Sequence, residues 1–385
     1  MRCYFDNNAT TRVAPEAIEA MLPVLTEAYG NASSIHHYGQ IAKQRLEAAR
    51  RQVAGLMGAS KPNEIVFVSG GTEANNLAIK GAVGAARPGR KHVITSTIEH
   101  PAVLNVCGEL EASGVSVTYV PVGASGVVSF DDVRRALRPE TVLITIMHAN
   151  NETGTVQPVR EIAAVAREAG VAFHSDGVQA AGKLPLGGLG CDLYTISGHK
   201  FGAPKGVGAL YIRDKIRVAA LFHGGKQERE RRPGTENVPG AVAMGRAAEW
   251  IVSNFAFETA RIASLRDRLE RGILTSVRGA YVNCPASERT PNTSSIRFEG
   301  IEGEAMVIAL DLKGFAVSSG AACSSGAIEP SHVLTAIGLP RDDARSCLRF
   351  SLGRENDQEQ VDALIEAVVA AAAHLRRLSP VAVSV

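Results

Sequence analysis

Residues 171–179 read Val-Ala-Phe-His-Ser-Asp-Gly-Val-Gln, and residues 193–200 read Leu-Tyr-Thr-Ile-Ser-Gly-His-Lys. In each, a short apolar run (Val171–His174, Leu193–Ile196) leads directly into polar residues. Such a run, bounded by turn formers, is a strand signal. Polar residues at its exit lie where an open α/β sheet binds ligands. The arrangement recurs upstream: Ile65–Val68 precedes Gly70-Gly71-Thr72-Glu73-Ala74-Asn75-Asn76, His92–Ser96 precedes Glu99-His100, and Val142–Met147 precedes Asn150-Asn151-Glu152-Thr153-Gly154. Five clusters at five strand ends predict one site along one sheet edge.

Val115–Val120 and Ala209–Ile212 are further strand runs, and Ala74–Ala85, Val103–Ala112 and Val159–Ala169 have helix-forming composition. The alternation predicts βαβ units and a mainly parallel sheet in an α/β fold. The last connections are short, which leaves room for an antiparallel strand. Near residue 257 the texture changes: Ile262, Leu265, Leu269 and Ile273 mark a long amphipathic helix. Strands are expected at Thr293–Phe298 and Arg349–Leu352. A last helix from near Asp357 buries Val361, Leu364, Ile365 and Val368, and Cys3–Phe5 pairs with a distant strand. These signals divide the chain into a large α/β domain, 12–256, and a smaller α+β domain made of 1–11 and 257–385.

The chain has 385 residues, 45% hydrophobic and 21% charged, with a net charge of +2. That balance gives no field for nucleic acid or an anionic membrane. Neither a secretory leader nor a membrane span is visible. The six cysteines form no C-x-x-C pair, so they read as reduced thiols of a cytoplasmic protein. Cys3, Cys107, Cys191, Cys284 and Cys347 are expected to be small buried hydrophobes. Cys323 differs, because residues 318–326 are otherwise only Ser, Gly and Ala. Such a strip is expected to behave as a flexible coil, six residues reaching ~12–15 Å. A thiol on it is suited to attack in one place and deliver in another, with His332 near in sequence to favour the thiolate.

Taken singly, the polar clusters have ordinary readings: a turn, a surface histidine, a helix cap, a solvated lysine. Jointly they hold an amine at Lys200, a carboxylate at Asp176 and a Gly/Thr/Ser/His set suited to a phosphate. Pyridoxal phosphate uses that combination: a lysine for its aldehyde and an acidic partner for its ring nitrogen.

Ser197-Gly198-His199-Lys200 with Pro204-Lys205-Gly206, and Ser319-Gly320-Ala321-Ala322-Cys323, resemble the pyridoxal-phosphate cysteine desulfurases of the NifS/IscS type, fold-type I enzymes of the class-V aminotransferases. The resemblance runs from Tyr4-Phe5-Asp6-Asn7-Asn8-Ala9-Thr10-Thr11 to Arg349-Phe350-Ser351-Leu352. Arg232-Pro233-Gly234-Thr235-Glu236-Asn237 and Glu302-Gly303-Glu304-Ala305 look closest to the nitrogen-fixation type. The resemblance implies a large domain with a seven-stranded sheet and a small domain carrying a mobile cysteine loop at about 318–328. It implies that Lys200 binds the cofactor covalently and moves the substrate α-proton. Asp176 would pair with the ring nitrogen, His100 would stack on the ring and serve in proton transfer, and Gln179 would contact the phenolic oxygen. Gly71, Thr72, Ser197 and His199 would bind the phosphate, with Gly198 in the same cofactor-binding segment. Thr235 would reach the phosphate of the other subunit of a homodimer. Asn151, which also belongs to the cofactor set, and Arg349 would hold the substrate carboxylate. Cys323 would take sulfur from L-cysteine as a persulfide, leave L-alanine, and pass the sulfur to an iron–sulfur scaffold or another acceptor protein. An exposed thiolate there is also able to ligate an iron–sulfur cluster transiently, although one cysteine alone makes no cluster site. A transaminase, a selenium-directed lyase and a non-catalytic scaffold are the competing readings, and a tethered thiol together with Lys200 and Asp176 argues against each.

Overall fold

The computed structural model describes residues 2–87, 89, 91–319 and 329–378. Seven strands lie side by side in the order Ile65–Val68, Gly208–Ile212, Leu193–Ser197, Ala172–Asp176, Thr141–Thr145, His92–Ser96, Ser116–Val120. Gly208–Ile212 runs antiparallel to both neighbours, and the remaining pairings are parallel. The antiparallel strand therefore falls where the connections shorten. Every residue of Ile65–Val68, His92–Ser96 and Leu193–Ser197 is buried. Helices on both faces account for this, and continuous apolar runs are what a two-sided sheet demands. On one face Leu77, Val103, Val106 and Leu110 of the helices Gly71–Gly84 and Pro101–Ala112 pack on the sheet. On the other lie Leu46, Val53, Ile162, Val165 and Met244.

Two helices that the periodicity does not announce, Pro15–Thr26 and His37–Met57, pack along Val238–Ser276. The latter is one continuous helix, so the change of texture at 257 is not the end of an element. Its first half is buried on several sides through Ala241, Val242, Ala243, Met244, Ala247 and Ala248 and therefore lacks a period. Its second half shows one stripe, Leu265, Leu269 and Ile273, against another core that includes Phe5, Phe298, Phe350, Leu364 and Val368. Val333, Leu334, Ile337 and Ala344 pack with the first core, so the C-terminal part of the chain contributes to both.

Around the second core, Cys347–Ser351, Thr293–Phe298 and Ala280–Val282 form a three-stranded antiparallel sheet. Cys3–Tyr4 pairs in parallel with Phe315–Ala316, and Asp6 bridges to Ser351. The N-terminal segment is thereby led from the second core toward the edge of the large sheet, where Asn8 and Ala9 enter the site. The five expected cysteines are buried and free. Burial pushes the thiols of Cys284 and Cys347 up to about 11 and that of Cys107 to about 12, which leaves them inert near neutral pH. Cys323 lies outside the described residues. No helix among those described is long and apolar enough to cross a membrane.

Candidate active site

A cavity of about 390 Å³ opens at the strand exits. Gly71, Thr72 and His100 line it, as do Asn151, Asp176 and Gln179. Ser197, His199, Lys200 and Arg349 complete the expected set. Gly198 and Thr235 do not line it. Gly198 is buried beside the site, and a Cβ there would meet Ala203 and Val207 at 3.0–3.1 Å, so glycine permits a close approach. Thr235 is exposed, on the loop before Val238–Ser276.

Asp176 ends its strand 5% exposed, with both oxygens held. Asn75 Nδ2 donates to Oδ2 at 2.7 Å and the Val178 backbone N–H donates to Oδ1 at 2.9 Å. Gly177 lets the chain turn immediately after it. A Cβ at 177 would fall 2.0–2.3 Å from ring atoms of Tyr194, whose hydroxyl is 2.6 Å from His148 Nδ1. Gly177→Ala is therefore expected to lower folding stability by about 1–3 kcal/mol through overpacking, read as a shift in the denaturant midpoint. An unchanged midpoint would mean that the Tyr194 ring moves freely.

Lys200 follows the last parallel strand in the short 3-10 turn Gly198–Lys200. Its Nζ donates to the carbonyl oxygens of Asn8 at 2.6 Å and Ala9 at 2.8 Å. Burial and then Arg349 lower its pKa to about 8, against the opposing pull of Asp176 and Asp6. His199 falls to about 4, chiefly by burial and then by Lys200 and Lys205, so it is neutral near pH 7. His100 caps the helix Pro101–Ala112, Nδ1 accepting from the Ala102 N–H at 3.0 Å, so a neutral ring carries its proton on Nε2. Its pKa is lowered, first by loss of solvation against the protein walls and then by Lys200 and His332, with Asp176 opposing.

Arg349 is 7% exposed. Nη2 donates to Asp6 at 2.7 Å and Nη1 to the Asn151 carbonyl at 3.0 Å, whereas Nε is buried without a partner among the described residues. An orphaned guanidinium N–H in a cavity wall is a ready donor for a carboxylate. Gly71 and Thr72 open the helix Gly71–Gly84, whose first-turn N–H groups and positive dipole end favour a phosphate. A Cβ at 71 would meet Val178 at 2.9 Å and Ser197 at 3.5 Å, so glycine keeps this approach clear. Amine, carboxylate and anion cradle on one cavity fit pyridoxal phosphate and define a site of that enzyme class.

Three residues with no assigned role in the sequence reading also shape the site. Asn8 is 2% exposed, and Lys183 lies half-buried beside it. Glu99 is fully buried; burial raises its pKa to about 8, against hydrogen bonds from Ser96 Oγ at 2.6 Å and the Met147 N–H at 3.0 Å. Glu99 therefore carries a proton at pH 7. The apolar run before Glu99-His100 was the available signal for it.

Residues 3–364 match the family described as aminotransferase class-V. The chain is 48% identical over 380 residues to a cysteine desulfurase of Gluconacetobacter diazotrophicus, spanning 98% of this chain and 95% of that one. It is 48% identical over 379 residues to the cysteine desulfurase IscS of Methanosarcina thermophila, spanning 98% and 93%. A NifS-like protein of known structure superposes with a TM-score of 0.91 at 37% identity, over 97% of this chain and all of that one. The chain belongs to the class-V aminotransferase family, within its pyridoxal-phosphate-dependent cysteine desulfurases.

Proposed function

We propose that this protein converts L-cysteine to L-alanine and carries the released sulfur as a persulfide on Cys323. The observation that carries this reading is the convergence of Lys200, Asp176 and Arg349, whose buried Nε has no partner among the described residues, on one cavity. Bound pyridoxal phosphate supplies an aldehyde for amines and a ring that accepts the electrons released at the substrate α-carbon.

In the proposed mechanism Lys200 would be the residue that holds the cofactor, and its Nζ would move the substrate α-proton. Asp176 would pair with the ring nitrogen, and the two N–H donors on its oxygens hold the carboxylate in place. His100 would face the cofactor and pass protons through Nε2, while Gln179 would donate an N–H to it. Gly71, Thr72, Ser197 and His199 hold the phosphate. Arg349 receives the substrate carboxylate with Asn151. The Cys323 thiolate attacks the substrate sulfur: an S–S bond forms, the C–S bond breaks, and its electron pair stays with the carbon skeleton that leaves, once protonated, as L-alanine.

The division into a large unit of 12–256 and a smaller one of 1–11 and 257–385 belongs to the same reading, with its boundary inside one helix. So does a homodimer in which Thr235 completes the partner's phosphate site. The exposed position of Thr235 and an exposed apolar stretch with Tyr29, Ile35 and Tyr38 suit such an interface. The persulfide would pass to an iron–sulfur scaffold or another sulfur-acceptor protein in the cytoplasm.

Single-turnover incubation of the purified holoenzyme with L-cysteine, followed by peptide mass mapping, tests this. The expected result is one added sulfur atom on the peptide bearing Cys323 and one L-alanine per site. Alanine with no bound sulfur would reject the persulfide step. Neither product from a yellow, folded protein would reject the desulfurase reading and leave a transaminase.

A further inference from the structure

Lys183 has no part in the chemistry assigned above, yet it touches Gln179, which does, and Asn8, whose backbone carbonyl accepts from Lys200. Its Nζ donates to Oε1 of Gln179 at 2.8 Å and to Oδ1 of Asn8 at 3.2 Å. Gln179 Nε2 in turn donates to the Asn8 backbone carbonyl at 2.9 Å. That same oxygen accepts from Lys200 Nζ at 2.6 Å. Asn8 is fixed from its other end, Nδ2 donating to Thr293 Oγ1 at 2.9 Å and to the Asn151 carbonyl at 3.1 Å. Lys183, Gln179, Asn8 and Lys200 therefore form one continuous hydrogen-bonded chain along the cavity wall.

Among the described residues, no carboxylate pairs with Lys183. Burial first, then Lys200 and Arg349, lower its pKa to about 7. A half-buried amine without a counter-charge calls for a reason beyond packing. Its geometry supplies a different reason. A side-chain amide has a donor end and an acceptor end of the same shape, and its neighbours decide which end faces where. Charged or neutral, a lysine nitrogen has at least two N–H groups. Here the two acceptors they meet are the amide oxygens of Gln179 and Asn8. With Oε1 held by Lys183, Gln179 keeps Nε2 as its other end. One N–H of Nε2 serves the Asn8 carbonyl, and the second remains for a ligand in the cavity that Gln179 lines.

We propose that Lys183 is a positioning residue that fixes the amide orientation of Gln179, so that Gln179 presents an N–H to an acceptor oxygen of the cofactor; the Asn8 amide is held independently, its Oδ1 also accepting from Asn292 Nδ2 at 3.0 Å. This rests on the reading of Gln179 as the contact to the phenolic oxygen.

A double-mutant cycle on cofactor binding tests it, with Lys183→Met, Gln179→Ala and the double variant. The readouts are the dissociation constant of pyridoxal phosphate for the emptied protein and the position of the visible absorbance band. Lys183→Met is expected to weaken binding about tenfold, the scale of one hydrogen bond involving a charged group, and to move the band. In the Gln179→Ala background it changes neither further. An unchanged constant and band in Lys183→Met overturn the proposal, and so do equal effects in the two backgrounds. A silent Gln179→Ala also overturns it, by removing the contact on which it rests. A wild-type protein that takes up no cofactor overturns the functional reading and this proposal together, and is recognised before any variant is made. If Lys183→Met does not fold, Lys183→Gln carries the test. It retains donors for both oxygens and restores most of the affinity, whereas affinity as low as that of Gln179→Ala counts against the proposal.

Discussion

Lys200→Ala yields a folded protein with no visible absorbance band from covalently held cofactor and with turnover reduced about ten-thousand-fold. On the proposed mechanism the variant loses two functions at one atom, capture of the cofactor aldehyde and transfer of the substrate proton. General acid–base catalysis alone is worth about 10²–10⁴-fold. The neighbouring His199, brought to about 4, is neutral and faces Thr10 at 3.1 Å, so it does not replace Lys200. The measurement is the visible spectrum after cofactor is added to the emptied protein, with alanine release as the second readout. Retained colour and turnover would remove Lys200 from both roles. The same amine sets a pH dependence. Its pKa is lowered to about 8, and only the neutral amine attacks an aldehyde. Cofactor capture by the emptied protein therefore accelerates as pH rises through about 8 and levels off above it. A rate that falls across that window would contradict the assignment.

The sheet was legible because its signal is local. Ile65–Val68 and His92–Ser96 are strands over the residues the runs mark, and the polar clusters at the five strand exits converge on one edge as they must. What was not legible depends on partners far away in sequence. Pro15–Thr26 and His37–Met57 acquire their burial from Val238–Ser276. That helix in turn shows no period in its first half, where several neighbours surround it. Asn8 enters the site only because Cys3–Tyr4 pairs with Phe315–Ala316 and Asp6 with Ser351. Glu99 reads as a polar residue after a strand, yet full burial makes it a protonated acid. Lys183 reads as one solvated lysine among many, and its meaning lies in two amide oxygens, one of them 175 positions away. Gly198 shows the converse. It stands among cofactor-binding residues in sequence, but its place in the fold is to let 203–207 approach the strand end.

Asp176→Asn tests the opposite end of the site and separates charge from shape. The two oxygens of Asp176 accept from Asn75 Nδ2 and the Val178 N–H at 2.7 and 2.9 Å. An asparagine has one oxygen and one NH₂, so one of these contacts becomes donor against donor, and the charge that favours a protonated ring nitrogen is lost. Removing preorganised electrostatic stabilisation of this kind costs about 10²–10³-fold in turnover. Cofactor remains bound through Lys200 and the phosphate cradle, so the loss appears in the rate of alanine formation rather than in cofactor content. A second, independent shift follows from the same substitution. Asp176 is the larger of the two carboxylates holding the Lys200 pKa up, so without it that pKa falls further, and the midpoint of cofactor capture moves below that of the wild-type protein. A structural defect alone would lower cofactor content and leave this midpoint in place. Wild-type turnover in Asp176→Asn would show that the carboxylate does not act on the ring, whereas slow turnover with an unmoved midpoint would place Asp176 outside the reach of Lys200.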